Sequence, residues 1–128
     1  MPVGEFNAAE RYQVEDAIRL AEQVSRFEFS VFVGRVDGEP RAFATQLHNS
    51  VVAPSRSVLV LVDPAARVLE IVTGAVVRRN LTDREVELAT YQMQSMFAAG
   101  DLVGGLRRGI QMLAEHARAP KTLHAEQS

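Results

Sequence analysis

The run Val58-Leu59-Val60-Leu61-Val62 constrains this chain most, because it puts branched apolar side chains on both faces of an extended segment. Such a strand must be covered above and below, which places it in the middle of a sheet with helices on both sides. The flanking sequence supplies the rest of the sheet. Phe27 to Val33 alternates, with Phe27, Phe29, Val31 and Val33 on one side and Glu28, Ser30 and Phe32 on the other, the pattern of a half-buried strand. Asp63-Pro64-Ala65-Ala66 is a tight turn with proline at its second position, and Arg67 to Thr73 returns as an antiparallel partner.

Helical periodicity fills the remainder. Val14, Ala17, Ile18, Ala21 and Val24 share one face of a helix over Glu10 to Ser25. Phe43, Leu47 and Val51 predict a second helix over Arg41 to Val52, ended before Pro54. Because this helix joins the first and central strands, those two strands should be parallel. Thr82-Asp83-Arg84-Glu85 is a capping box opening a helix that runs to Ala99, where Gly100 supplies the left-handed stop. A last helix begins at Asp101, with Leu102, Leu106, Gly109, Ile110, Leu113 and Ala117 inward. Gly105 and Gly109 in its interior each cost about 1 kcal/mol relative to alanine, which points to close approach of a neighbouring backbone. The expected fold class is therefore α/β, a three-layer α/β/α sandwich around a small mixed sheet of three or four strands.

Composition narrows the chemistry. The 128 residues form one domain, read as residues 1–118 with a disordered tail over 119–128, and bury enough surface to need no staples. With no cysteine there is no disulfide framework, thiol nucleophile or cysteine-ligated metal site. A net charge of -2 argues against nucleic acid or an anionic membrane as partner. The first residues lack a basic region followed by an apolar stretch, and no apolar run is long enough to span a bilayer. As written the chain is expected to be cytoplasmic, and membrane-associated or exported only if a targeting segment has been removed.

Strong catalytic motifs are missing. The only lysine is Lys121, so no phosphate loop of the GxxxxGK type occurs, and no strand leads into GxGxxG. Ser30 and Ser55 lie outside any GxSxG elbow, and His48, His116 and His124 are far apart and read as surface residues. Topology nevertheless brings one set of polar residues together. The starts of the two parallel strands and the end of the antiparallel strand share one end of the sheet. Arg26, Glu28, Ser55, Arg56, Thr73, Arg78, Arg79 and Asp83 can converge there. Forked guanidinium contacts from Arg56 and Arg78, with Thr73, would suit a small anion; Glu28 and Asp83 would suit a weak cation site. The alternative is a network of ion pairs and caps that closes the domain. The other end, with Arg35, Asp37, Asp63 and Arg67 in turns, reads as ordinary surface polarity.

A series of short motifs resembles the TPM domain: Phe27-Glu28-Phe29-Ser30-Val31, the Val58 to Val62 strand, Glu70 to Gly74 (EIVTG), Leu81-Thr82-Asp83, Phe97-Ala98-Ala99-Gly100-Asp101 and Gly105-Leu106-Arg107-Arg108-Gly109-Ile110. Their order and spacing extend from Glu10 to Arg118 and suggest an uncharacterised actinobacterial branch. The resemblance implies an α/β/α sandwich, in a family often secreted or membrane-tethered, whose plant thylakoid-lumen members are linked to photosystem II repair, calcium binding and acid phosphatase activity. By position it carries over Glu28, Thr73-Gly74, Asp83 and Gly100-Asp101. Where many members have an acidic or amide pair before the central strand, this chain has Ser55-Arg56-Ser57, which weakens the inference of metal-assisted chemistry. The expectation is thus a noncatalytic interaction or small-ligand-binding module, requiring no cofactor, with a protein partner or small anion. The alternative is a phosphatase-like hydrolase in which Glu28 and Asp83 hold calcium or magnesium and Arg56 clamps phosphate.

Overall fold

The computed structural model describes residues 6–119. His124 and the expected tail, Ala119 apart, lie outside the described residues. The chain begins with α1 (Ala8–Ser25), β1 (Glu28–Val33) and α2 (Pro40–Asn49), followed by a 3-10 turn over Pro54–Arg56. It continues through β2 (Ser57–Asp63), β3 (Val68–Thr73), a second 3-10 turn over Val77–Arg79, α3 (Asp83–Ala98) and α4 (Leu102–Ala117). The sheet has three strands in the order β1-β2-β3. β1 and β2 are parallel, with Glu28 opposite Ser57 and Val33 opposite Val62, and β3 returns antiparallel with Thr73 opposite Val58. Every residue of the central strand is buried.

Two apolar layers follow from the alternation of side chains. Phe29, Val33, Val58, Val60, Val62 and Ile71 face α1, α3 and α4. Leu59, Leu61 and Val72 face α2, where Ala44 is fully buried and Phe32 meets Phe43 with ring centroids 5.7 Å apart. These are the α/β/α layers expected from the double-faced strand. α4 packs against both α1 and α3 and supplies the largest helical share of the core, including Leu106, Ile110 and Leu113.

Several boundaries differ from the periodicity. α1 starts at Ala8 because Asn7 and Glu10 form a capping box, with reciprocal bonds of 2.8 and 2.9 Å. α2 stops at Asn49, so Val51 lies past its end and Val52 is 96% exposed. Its inner face carries Ala44 and His48, one turn apart, with Phe43 and Leu47 half-buried beside them. The expected Thr82–Glu85 capping box is formed, and Gly100 adopts φ 88°. Gly105 and Gly109 are required by side chains rather than by a neighbouring backbone: a Cβ would strike Phe97 at the first and Met93 at the second, both on α3.

Candidate functional site

The amino ends of β1 and β2 and the carboxyl end of β3 meet at one end of the sheet, and the chain segments there are stitched by backbone bonds. Gly74 N donates to Ser57 O at 2.9 Å and Val76 N to Ser55 O at 2.9 Å. Gly74 has no room for a side chain, since a Cβ would collide with the backbone of Pro54 and Ser55. Close apposition of the segment before β2 and the segment after β3 therefore depends on glycine here.

Two of the expected arginines are held in place at this end. The Arg56 guanidinium lies 4.8 Å from the centroid of the Phe27 ring, and its Nη2 donates to the Arg26 carbonyl at 3.2 Å. Arg26 closes α1 in the left-handed region at φ 67°, which turns its carbonyl into reach. Arg78 Nη1 donates to the carbonyl of Thr73, itself buried at the end of β3. Among the described residues the ion pairs are Arg19–Asp16, Arg41–Glu70 and His116–Glu85, and none involves Arg26, Arg56, Arg78 or Arg79. Arg56 and Arg78 thus rest on backbone carbonyls and, for Arg56, an aromatic face instead of on carboxylates.

The two acidic candidates are present but separately employed. Glu28 opens β1 opposite Ser57 and is exposed; Asp83 is the first residue of α3, exposed, where a carboxylate complements the helix dipole. Among the described residues no group of three or more His, Asp or Glu side chains is placed to hold a metal ion.

His48 was expected at the surface and is instead 5% exposed, its Nε2 2.9 Å from the Ser57 carbonyl. A carbonyl only accepts, so Nε2 carries the proton and the ring braces the start of β2 from the α2 side. Its one-turn spacing from Ala44 was the available signal. His116 pairs with Glu85 at 3.2 Å across α4 and α3.

The opposite end of the sheet is more than surface polarity. Asp63, closing β2, is 6% exposed and accepts from Val36 N at 3.0 Å and Ala66 N at 3.2 Å, tying the loop after β1 to the β2–β3 turn. Beside it is a cavity of about 460 Å³ bordered by Val62, Leu69, Phe97 and Leu102, with Asp63 and Arg67 in its wall. Sequence reasoning missed this cavity because its walls come from a hairpin and from the junction of two helices.

The molecule is, by fold, a three-layer α/β/α domain with a three-stranded mixed sheet. By sequence it belongs to the family described as domain of unknown function DUF5130, which matches residues 3–114. It is similar to the uncharacterised protein Rv2468c of Mycobacterium tuberculosis, 27% identical over 109 residues, or 85% of this chain. The aligned region spans 65% of that relative's length. Among solved structures, the BA42 protein of Bizionia argentinensis has a TM-score of 0.76 at 20% identity, covering 88% of this chain and 81% of that one. The N-terminal domain of the cg2496 protein of Corynebacterium glutamicum has a TM-score of 0.73 at 15% identity, covering 93% and 80%. At these identities the two structures attest the fold. Among the described residues, no helix is long and apolar enough to cross a membrane.

Proposed function

We propose that this domain is a noncatalytic module that binds a small oxyanion at the end of the sheet marked by Arg56, Thr73 and Arg78. One observation supports the reading above the rest: Arg56 and Arg78 are fixed through one guanidinium nitrogen each to a backbone carbonyl, with no carboxylate partner among the described residues. A guanidinium has five N–H donors in a rigid fork, so each side chain retains donors for a second acceptor. Stacking on Phe27 further limits the freedom Arg56 must lose on binding. The reading keeps the TPM likeness as a relation in motif order. Hydrolysis through a cation at Glu28 and Asp83 is the lesser reading, since both carboxylates are exposed and no third metal-ligating side chain joins them among the described residues.

Thermal unfolding in phosphate, matched in ionic strength by chloride, tests the proposal. An anion at 100 times its dissociation constant stabilises the folded state by about 2.7 kcal/mol, so Tm should rise in phosphate alone. Arg56→Ala should lose that rise while staying nearly as stable without anion, because exposed arginine contacts contribute about 0 to 1 kcal/mol. Equal melting in the two salts would remove the site. A phosphomonoester should show no turnover that depends on calcium or magnesium and disappears in Asp83→Asn.

A further inference from the structure

We propose that the cavity between the β2–β3 hairpin and the α3–α4 junction is a second, independent site, which takes a small amphipathic carboxylate with its charged end on Arg67. It lies where the antiparallel β2–β3 hairpin meets the junction of α3 and α4. The cavity, about 460 Å³, falls within the range of small-molecule pockets, roughly 300 to 1,000 Å³. Its wall is mostly aliphatic and aromatic: Val62 and Leu69 from the sheet, Phe97 from the end of α3 and Leu102 from the start of α4.

The polar groups decide the ligand's charge. Asp63 is committed, since each of its oxygens accepts a backbone amide from a different loop. Arg67 differs. Among the described residues its side chain makes no hydrogen bond or ion pair, and its backbone sits at φ 57°, where a residue with a Cβ is strained. Glycine or asparagine would relieve that strain, yet an arginine occupies the rim of the cavity. An arginine with no side-chain partner among the described residues, bordering an apolar wall, matches a carboxylate carrying an apolar body. A dianion such as a phosphate monoester is disfavoured, because the buried Asp63 carboxylate borders the same cavity.

Octanoate is the probe, followed by amide chemical shifts of the full chain, with octanol as its uncharged counterpart. Saturable shifts should cluster at residues 62–69 and 94–102, and excess phosphate should not displace octanoate. Arg67→Asn, which tolerates the left-handed backbone, should weaken octanoate at least about tenfold and leave octanol unchanged. Leu102→Gln should weaken both probes. Shifts that do not saturate, that fall on other surfaces, or that are insensitive to Arg67→Asn in a variant with native-like spectra would overturn the proposal. Failure at this cavity would leave the phosphate response of Arg56 untouched, and the converse also holds.

Discussion

Asp63 shows how much a single turn residue can carry. Its carboxylate accepts from the amides of Val36 and Ala66, one on each oxygen. A hydrogen bond to a charged acceptor contributes about 1.5 to 3 kcal/mol, less where water can take its place, so Asp63→Ala should lower unfolding stability by about 2 kcal/mol. Asp63→Asn, which retains one acceptor oxygen, should lose less; urea denaturation of the two variants separates them. Glu85 gives a pH prediction. The amide of Thr82 holds its carboxyl below the ordinary 4.5; the Thr82 hydroxyl and His116 add to this, and partial burial opposes it. Because the folded value is depressed, the stabilisation is complete above the ordinary value and is lost as pH falls through the folded one. Glu85→Gln should therefore lower the urea midpoint above pH 4.5, where the ionised carboxylate contributes, and flatten its decline below that pH. An unchanged acid limb would mean that the capping box does not persist in solution.

At the scale of elements, the packing of α4 on α3 is the most exposed to test. Met93 is fully buried against Gly109 and Phe97 lies against Gly105, so α3 fills the notches that the two glycines leave. Gly109→Leu should overpack this contact and destabilise by about 1 to 3 kcal/mol, whereas Arg108→Leu on the exposed face should change little. Combining Gly109→Leu with Met93→Ala should recover part of the loss, which identifies the partner. Equal melting of the two single variants would place the wrong face inward. The elements themselves were largely legible: the all-apolar β2, the proline turn into β3 and the Thr82 capping box each announce their structure through local chemistry. What misled was apolar residues with no packing partner. Val51 and Val52 extend the α2 pattern on paper, yet the helix ends at Asn49 and Val52 projects into solvent. His48 was misread for the opposite reason, since a polar ring becomes a core residue once the Ser57 carbonyl is there to receive its proton.

For the molecule as a whole, one crossover and one hairpin suffice to bring residues 26–28, 55–57 and 73–79 to the same end of the sheet, and that convergence was readable from strand order. The bonds made there were not. Arg56 and Arg78 use backbone carbonyls and the Phe27 ring, partners that leave no signature in a charge pattern, while Glu28 and Asp83 enter no ion pair among the described residues. The most direct measurement of the central claim is an amide chemical-shift titration with phosphate at fixed ionic strength. The account predicts saturable shifts confined to residues 26–28, 55–58 and 73–79, lost together in Arg56→Ala. Shifts that grow linearly with phosphate, or that centre on Arg67 at the opposite end, would contradict it.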